Sequence, residues 1–187
     1  GLNMDDYVSL TSYSHHPFYT QFNIEVQDNW LNALSYNLPI DELMAVMENA
    51  INTGYTFAWD ADVSEQGFTR DGVAVGTDAE KGAELTGSDM ARWLGMSQAD
   101  KRKELTSKPL PEITVTQEMR QVAFDNWETT DDHGMLIYGI AKDQNGKEYY
   151  MVKNSWGLSG KYKGIWYASK AFAKYKTMNI LVNKKAI

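Results

Sequence analysis

Two short apolar runs late in the chain, residues 135–141 and 149–153, are separated by residues 142–147, which carry Asp143, Asn145 and Gly146. Runs of this length, bounded by turn-forming residues, read as the two antiparallel strands of a hairpin. A hairpin brings the end of its second strand back beside the start of its first. His133 stands at that start and Asn154 just past that end, so the spacing predicts that an imidazole and an amide touch.

Such a pair suits proton transfer. Imidazole has an unperturbed pKa of about 6.5, and an amide oxygen that accepts from one ring nitrogen fixes the tautomer and leaves the other nitrogen for chemistry. His133 is then the candidate general base and Asn154 its orienter. Trp156 covers their hydrogen bond from water, which strengthens it, and Gly157 lets the chain turn tightly. Taken singly, a histidine at a strand start and an Asn-Ser-Trp-Gly turn are more often structural.

Upstream the pattern is helical. From Pro39 the residues Ile40, Leu43, Met44, Val46, Met47 and Ile51 recur at helical spacing, with Gly54 past the end. A short aromatic run over 55–59 reads as a buried strand. Shorter helices are expected at 88–95 and 97–106, with Pro109 and Pro111 breaking any continuation, and another over 114–127 with Thr114 or Thr116 as its cap. Later strands fall at 164–167 and 178–182. The first 38 residues read as loop-rich with a short strand at 23–26, and the glycine-bearing stretch 63–87 as an excursion over the surface. Helices early and clustered strands late argue for a single α+β domain whose strands curl into a barrel-like sheet.

Composition excludes several functions. Against 25 acidic side chains stand 18 basic ones, a formal charge of −7, with no basic stripe to neutralise phosphates, so nucleic acid is not an expected partner. No apolar stretch approaches the roughly 18 to 20 residues that cross a bilayer. The chain has no cysteine, hence no disulfide, thiolate metal site or cysteine nucleophile of its own. His15 and His16 are adjacent without a spaced third ligand, a weak case for zinc, and no metal or cofactor is expected. Asp131 and Asp132 read as solvated turn residues. The opening Gly-Leu-Asn-Met lacks the basic start and apolar middle of an export signal.

His133-Gly134 leading into an apolar strand, the hairpin, and Asn154-Ser155-Trp156-Gly157 together resemble the histidine and asparagine motifs of papain-like cysteine peptidases. The helix from Pro39, the run over 55–60 behind it and His16-Pro17-Phe18 look like the C-terminal half of the bleomycin hydrolase and aminopeptidase C branch. In that family a cysteine thiolate attacks the peptide carbonyl, a histidine shuttles the proton, an asparagine orients the histidine and a glutamine helps hold the oxyanion. Only His133 and Asn154 map here, with Trp156 and Gly157 supporting them. The family's cysteine and glutamine lie upstream, and Gln21 lacks that context.

The resemblance implies a C-terminal portion of a thiol aminopeptidase, inactive alone, whose partner half carries the cysteine. Any export signal of a longer parent would lie outside these residues, and the family points to the cytoplasm. It implies peptide substrates, hexameric assembly around an inner cavity, and a C-terminal tail, here 183–187, whose Ile187 carboxylate would meet a substrate ammonium. Two alternatives stand beside it: a non-catalytic papain-like module that binds peptides or a partner, and a serine-dependent relative using Ser12, Ser14 or Ser155.

Overall fold

The computed structural model describes residues 3–27, 29–76, 87–107, 109 and 112–187. In chain order the strands and helices are β1 (Tyr7–Thr11), β2 (Gln21–Asn23), β3 (Leu34–Asn37), α1 (Ile40–Asn52), β4 (Phe57–Ala61), β5 (Val73–Ala74), α2 (Ser88–Gly95), α3 (Gln98–Ser107), α4 (Gln117–Asp125), β6 (His133–Lys142), β7 (Glu148–Lys153), β8 (Ile165–Ser169), α5 (Lys170–Lys176) and β9 (Thr177–Asn183). Single 3-10 turns, Met4–Asp6 and Lys184–Ala186, flank the set.

Among the described residues, nine strands form one sheet in the order β2-β3-β1-β9-β4-β6-β7-β8-β5. The β1–β3 and β5–β8 pairs are parallel and the others antiparallel. The class is α+β, as expected, but the sheet is open. Its edges are β2, of three residues, and β5, of two, and among the described residues nothing pairs one edge with the other.

Alternation explains the core. Phe57, Trp59 and Ala61 of β4, Met135 and Ile137 of β6, Tyr150 and Val152 of β7 and Ile180 and Val182 of β9 are buried at every second position. Against them α1 lays Ile40, Leu43, Met47 and Ala50, one helical stripe. Pro39 gives α1 no side-chain cap, and Gln117 Oε1 of α4 fills that role by accepting from the Ile40 N–H at 2.8 Å. Thr116, rather than Thr114, caps α4, its hydroxyl accepting from the Met119 N–H at 3.1 Å.

Arg120 locks α4, α5, β1 and β9 together. Fully buried, its guanidinium donates to the carbonyls of Ser12 (2.9 Å), Lys174 (3.3 Å), Tyr175 (3.0 Å) and Thr177, and lies 4.7 Å over the Tyr13 ring. Three of these carbonyls come from the end of α5 and the residue after it, where a helix presents unpaired acceptors and negative dipole. Burial lowers the Arg120 pKa from its ordinary value and pushes the Tyr13 hydroxyl up to about 12.

The N-terminal 38 residues hold more order than their composition suggests. They contribute β1, β2 and β3, and β2 ends at Asn23 instead of spanning 23–26. The stretch 63–87 also departs from the surface path expected of it. Phe68 stacks on Trp166 with centroids 5.8 Å apart, Ala74 and Val75 are buried, and β5 pairs with β8. Its glycines permit close approach: a Cβ on Gly67 would meet Val75 O at 2.1 Å. The remainder of that stretch, 77–86, lies outside the described residues, as does Pro111.

Candidate functional site

Strand pairing sets the site. β6 starts at His133, opposite Ala61 of β4, and β7 ends at Lys153, opposite Leu136. Asn154 therefore emerges beside the first residues of β6, as the hairpin spacing requires. His133 Nε2 lies 2.8 Å from Asn154 Oδ1.

The same oxygen accepts from the Ser155 backbone N–H at 2.7 Å. Only the amide oxygen can take that bond, so the orientation of the Asn154 amide follows from it. His133 Nε2 is then the protonated nitrogen, and Nδ1 keeps a lone pair that can receive a proton. Asn154 is 2% exposed, and its own N–H donates to the Gly164 carbonyl at 3.1 Å. Its Nδ2 is buried with no hydrogen-bond partner among the described residues. The site thus gives up one amide donor to hold the oxygen toward the ring.

Trp156 lies with its ring 5.0 Å from that of His133, tilted by 30°. It is supported edge-on by Trp166 (5.5 Å) and Phe68 (6.1 Å), and is 45% exposed. The indole shields one side of the His133–Asn154 bond while its own outer side faces solvent. Gly157 has φ +70° and Gly164 φ +84°, values that favour glycine. A Cβ on Gly164 would meet the Gly157 carbonyl at 2.0 Å, so the two glycines close the loop behind Asn154. Phe68, Trp166 and Gly164 escape sequence reasoning because their roles depend on contacts across the sheet. The glycine that ends this loop just before β8 is the local signal the sequence offers.

The segment leading into His133 is anchored by hydrogen bonds, while Asp132 itself stays exposed, as expected. Asp132 Oδ2 accepts from the N–H groups of Val63 (3.2 Å) and Ser64 (3.0 Å), and its Oδ1 from the Thr130 hydroxyl (2.7 Å). Beneath it Asp62, fully buried, accepts from Ser64 and from the Thr130 N–H and pairs with Lys176 at 3.4 Å. Lys176 also pairs with Glu65 and donates to Glu128 O and Thr129 Oγ1. Burial first, and then the neighbouring Asp132 carboxylate, push Asp62 up to about 6 against the pull of Lys176.

Three other candidate participants are elsewhere. Thr177 of β9 pairs with Ala61, the residue that also pairs with His133, and β9 then runs six residues to Asn183. At about 3.3 Å per residue this carries the chain some 20 Å along the sheet. Ile187 follows a turn whose Ala186 carbonyl accepts from Asn49 Nδ2 of α1, and it is not brought to the imidazole. The Ser12 and Ser14 hydroxyls are engaged by Gln117 (3.1 Å) and Gln121 (3.2 Å) of α4, which leaves the serine-dependent reading without support at those positions.

Comparison with known proteins gives the chain its family. Aminopeptidase E of Lactobacillus helveticus is 24% identical over 188 residues, which cover 99% of this chain and 37% of that protein. Cathepsin L1 of Drosophila melanogaster is 48% identical over 34 residues, 18% of this chain and 9% of the cathepsin. The crystal structure of PepW from Lactobacillus rhamnosis superposes with a TM-score of 0.68 at 20% identity, covering all of this chain and 37% of that one. The chain thus spans little more than a third of the length of its full-coverage relatives. The fold is that of the corresponding part of a papain-like peptidase. The profile of the Peptidase C1-like family matches residues 1–187 from end to end, and the chain, with its paired His133 and Asn154, belongs to that family.

Proposed function

We propose that this chain is the proton-transfer portion of a cysteine aminopeptidase, in which His133 is the general base, Asn154 its orienter, and the nucleophilic thiolate is supplied by an upstream portion of the same parent protein. The observation that carries this reading is the 2.8 Å contact between His133 Nε2 and Asn154 Oδ1, with no hydrogen-bond partner on Nδ1 among the described residues. In acyl transfer the thiol proton passes to Nδ1 as sulfur attacks the peptide carbonyl, and the same nitrogen returns it to the leaving amine. Asn154 holds the ring through both transfers without changing charge. Aminopeptidase E is the relative that suggests action at a free N-terminus.

Alone, the chain has no cysteine and should not hydrolyse peptides. The test is hydrolysis of a fluorogenic amino-acid amide by the chain alone and by the chain joined to its upstream portion, with and without a thiol alkylator. Activity that requires the upstream portion and disappears on alkylation supports the reading. Silence in both forms would instead favour a non-catalytic module that binds peptides.

A further inference from the structure

Two of the three histidines in the chain lie far from His133 in sequence, in the loop between β1 and β2. Adjacent histidines lack a spaced third ligand when read along the chain, but the fold supplies one. Glu25, two residues past β2, turns its carboxylate between them: His15 Nε2 lies 3.1 Å from Oε2 and His16 Nε2 3.0 Å from Oε1. Each oxygen faces a different ring, and one ligand atom from each residue falls within 4.8 Å of the others.

Three features distinguish this group from a chance meeting of surface side chains. The rings are held by packing, His16 stacked on Phe22 at 4.2 Å and His15 on Phe124 at 5.5 Å. The outer nitrogen of His15 has a partner for either tautomer, since Nδ1 lies 3.0 Å from Gln121 Nε2 and 3.3 Å from Gln121 Oε1. That amide is fixed in turn by the Ser14 N–H on its oxygen (2.6 Å) and by Asp125 accepting from its nitrogen (2.7 Å). Among the described residues, the ion pairs that Glu25 makes are with these two imidazoles and with no lysine or arginine.

We propose that His15, His16 and Glu25 form a binding site for a divalent transition cation of the zinc class. Two ligands bonded to zinc at about 2.0 to 2.1 Å in a tetrahedral arrangement stand about 3.3 Å apart, close to the two nitrogen–oxygen separations found here. Two imidazoles and one carboxylate suit zinc, nickel or copper and not magnesium or calcium, which take oxygen ligands. When His15 Nε2 binds the cation its remaining proton sits on Nδ1, where Gln121 Oε1 accepts it; outer partners of this kind orient metal-bound histidines. The half-exposed Glu25 leaves the fourth position to solvent. The bound ion would fasten the β1–β2 loop to the segment after β2 and, through Gln121, to α4.

The test is calorimetric titration of the full chain with Zn2+ near neutral pH, with Mg2+ as control and Co2+ as a spectroscopic probe. One equivalent of Zn2+ should bind, Mg2+ should not, and Co2+ should give the visible bands of nitrogen and oxygen ligation, removed by Zn2+. Glu25→Gln and His16→Gln should each weaken Zn2+ binding by about tenfold or more, while His133→Gln leaves it unchanged. Circular dichroism identifies any variant that fails to fold; should both fail, the Co2+ spectrum of the unaltered chain decides. Absence of Zn2+ binding, equal binding by folded Glu25→Gln and His16→Gln, loss on His133→Gln, or Co2+ bands of water ligation alone would overturn the proposal.

Discussion

Asn154 Oδ1 accepts from His133 Nε2 at 2.8 Å and from the Ser155 N–H at 2.7 Å, so a single backbone bond determines which face of the amide the imidazole meets. The ring is thereby assigned the tautomer with its proton on Nε2. Nitrogen-15 shifts of the folded chain should report that tautomer for His133, and Asn154→Ala should let the two tautomers mix. In the joined enzyme, His133→Ala should lower turnover by about a thousandfold or more, the upper range of general acid–base catalysis. Asn154→Ala should cost about tenfold, one hydrogen bond's worth. Undiminished hydrolysis by His133→Ala would remove the assignment.

Gly164→Ala should damage the site from behind. Its φ of +84° disfavours a side chain by about 1 to 2 kcal/mol, and the added Cβ would strike the Gly157 carbonyl, which is backbone and cannot swing aside. Because Gly164 O receives the Asn154 N–H, the displacement reaches the amide. The expected result is a loss of about 2 kcal/mol or more in denaturant unfolding, together with loss of the single His133 tautomer.

Arg120→Met keeps much of the buried volume but removes the donor that Arg120 gives to the carbonyls of Lys174, Tyr175 and Thr177, while Ser12 O keeps a long bond from Gln117 Nε2 at 3.5 Å. Leaving buried acceptors unpaired costs about 1 to 3 kcal/mol each when they cannot reach water. We expect destabilisation of about 3 to 5 kcal/mol by urea unfolding. A loss below about 1 kcal/mol would mean that water or a local shift satisfies the α5 terminus instead.

The Asp62 and Asp132 pair should show in the pH dependence of stability. Asp62 has a folded pKa of about 6, above its ordinary 3.8, so its contribution is present below about 4 and is lost as pH rises through about 6. Asp132 is lowered, with its own desolvation outweighed by the Thr130, Asp62 and Ser64 hydrogen bonds, and so contributes in the opposite sense, lost as pH falls. Asp62→Asn removes the first effect. Relative to the unaltered chain, the variant should gain stability between pH 4 and pH 7, by at most about 3 kcal/mol. A difference that is flat over this window would show that Lys176 keeps Asp62 ionised throughout.

The site pair was legible in the sequence because a hairpin is a local object. Turn residues at 143–146 and apolar runs on either side place His133 and Asn154 without knowledge of the rest. Residues Ile40 to Ala50 declared α1 by period alone. What stayed hidden is non-local. β1 has five residues and is a strand because β3 and β9 flank it, and α5 has seven, too few to establish a period. The polar 63–76 segment reads as surface, yet Phe68 completes the aromatic support of Trp156. Glu25 gave no sign of meeting His15 and His16, since only the path of β2 turns them toward one another.

Among the described residues β9 alone joins the β2-β3-β1 group to the β4-β6-β7-β8-β5 group, and it consists of Thr177–Asn183. The bond from the Thr11 hydroxyl to the Met178 carbonyl spans 167 residues. On a ribosome the N-terminal strands would emerge long before the strand that seats them, exposing a sheet edge for the whole of that interval. Contacts so distant in sequence also slow folding, because the loop between them must close before they repay its entropy. Completion of the sheet therefore waits on β9, and loss of those seven residues would divide it in two.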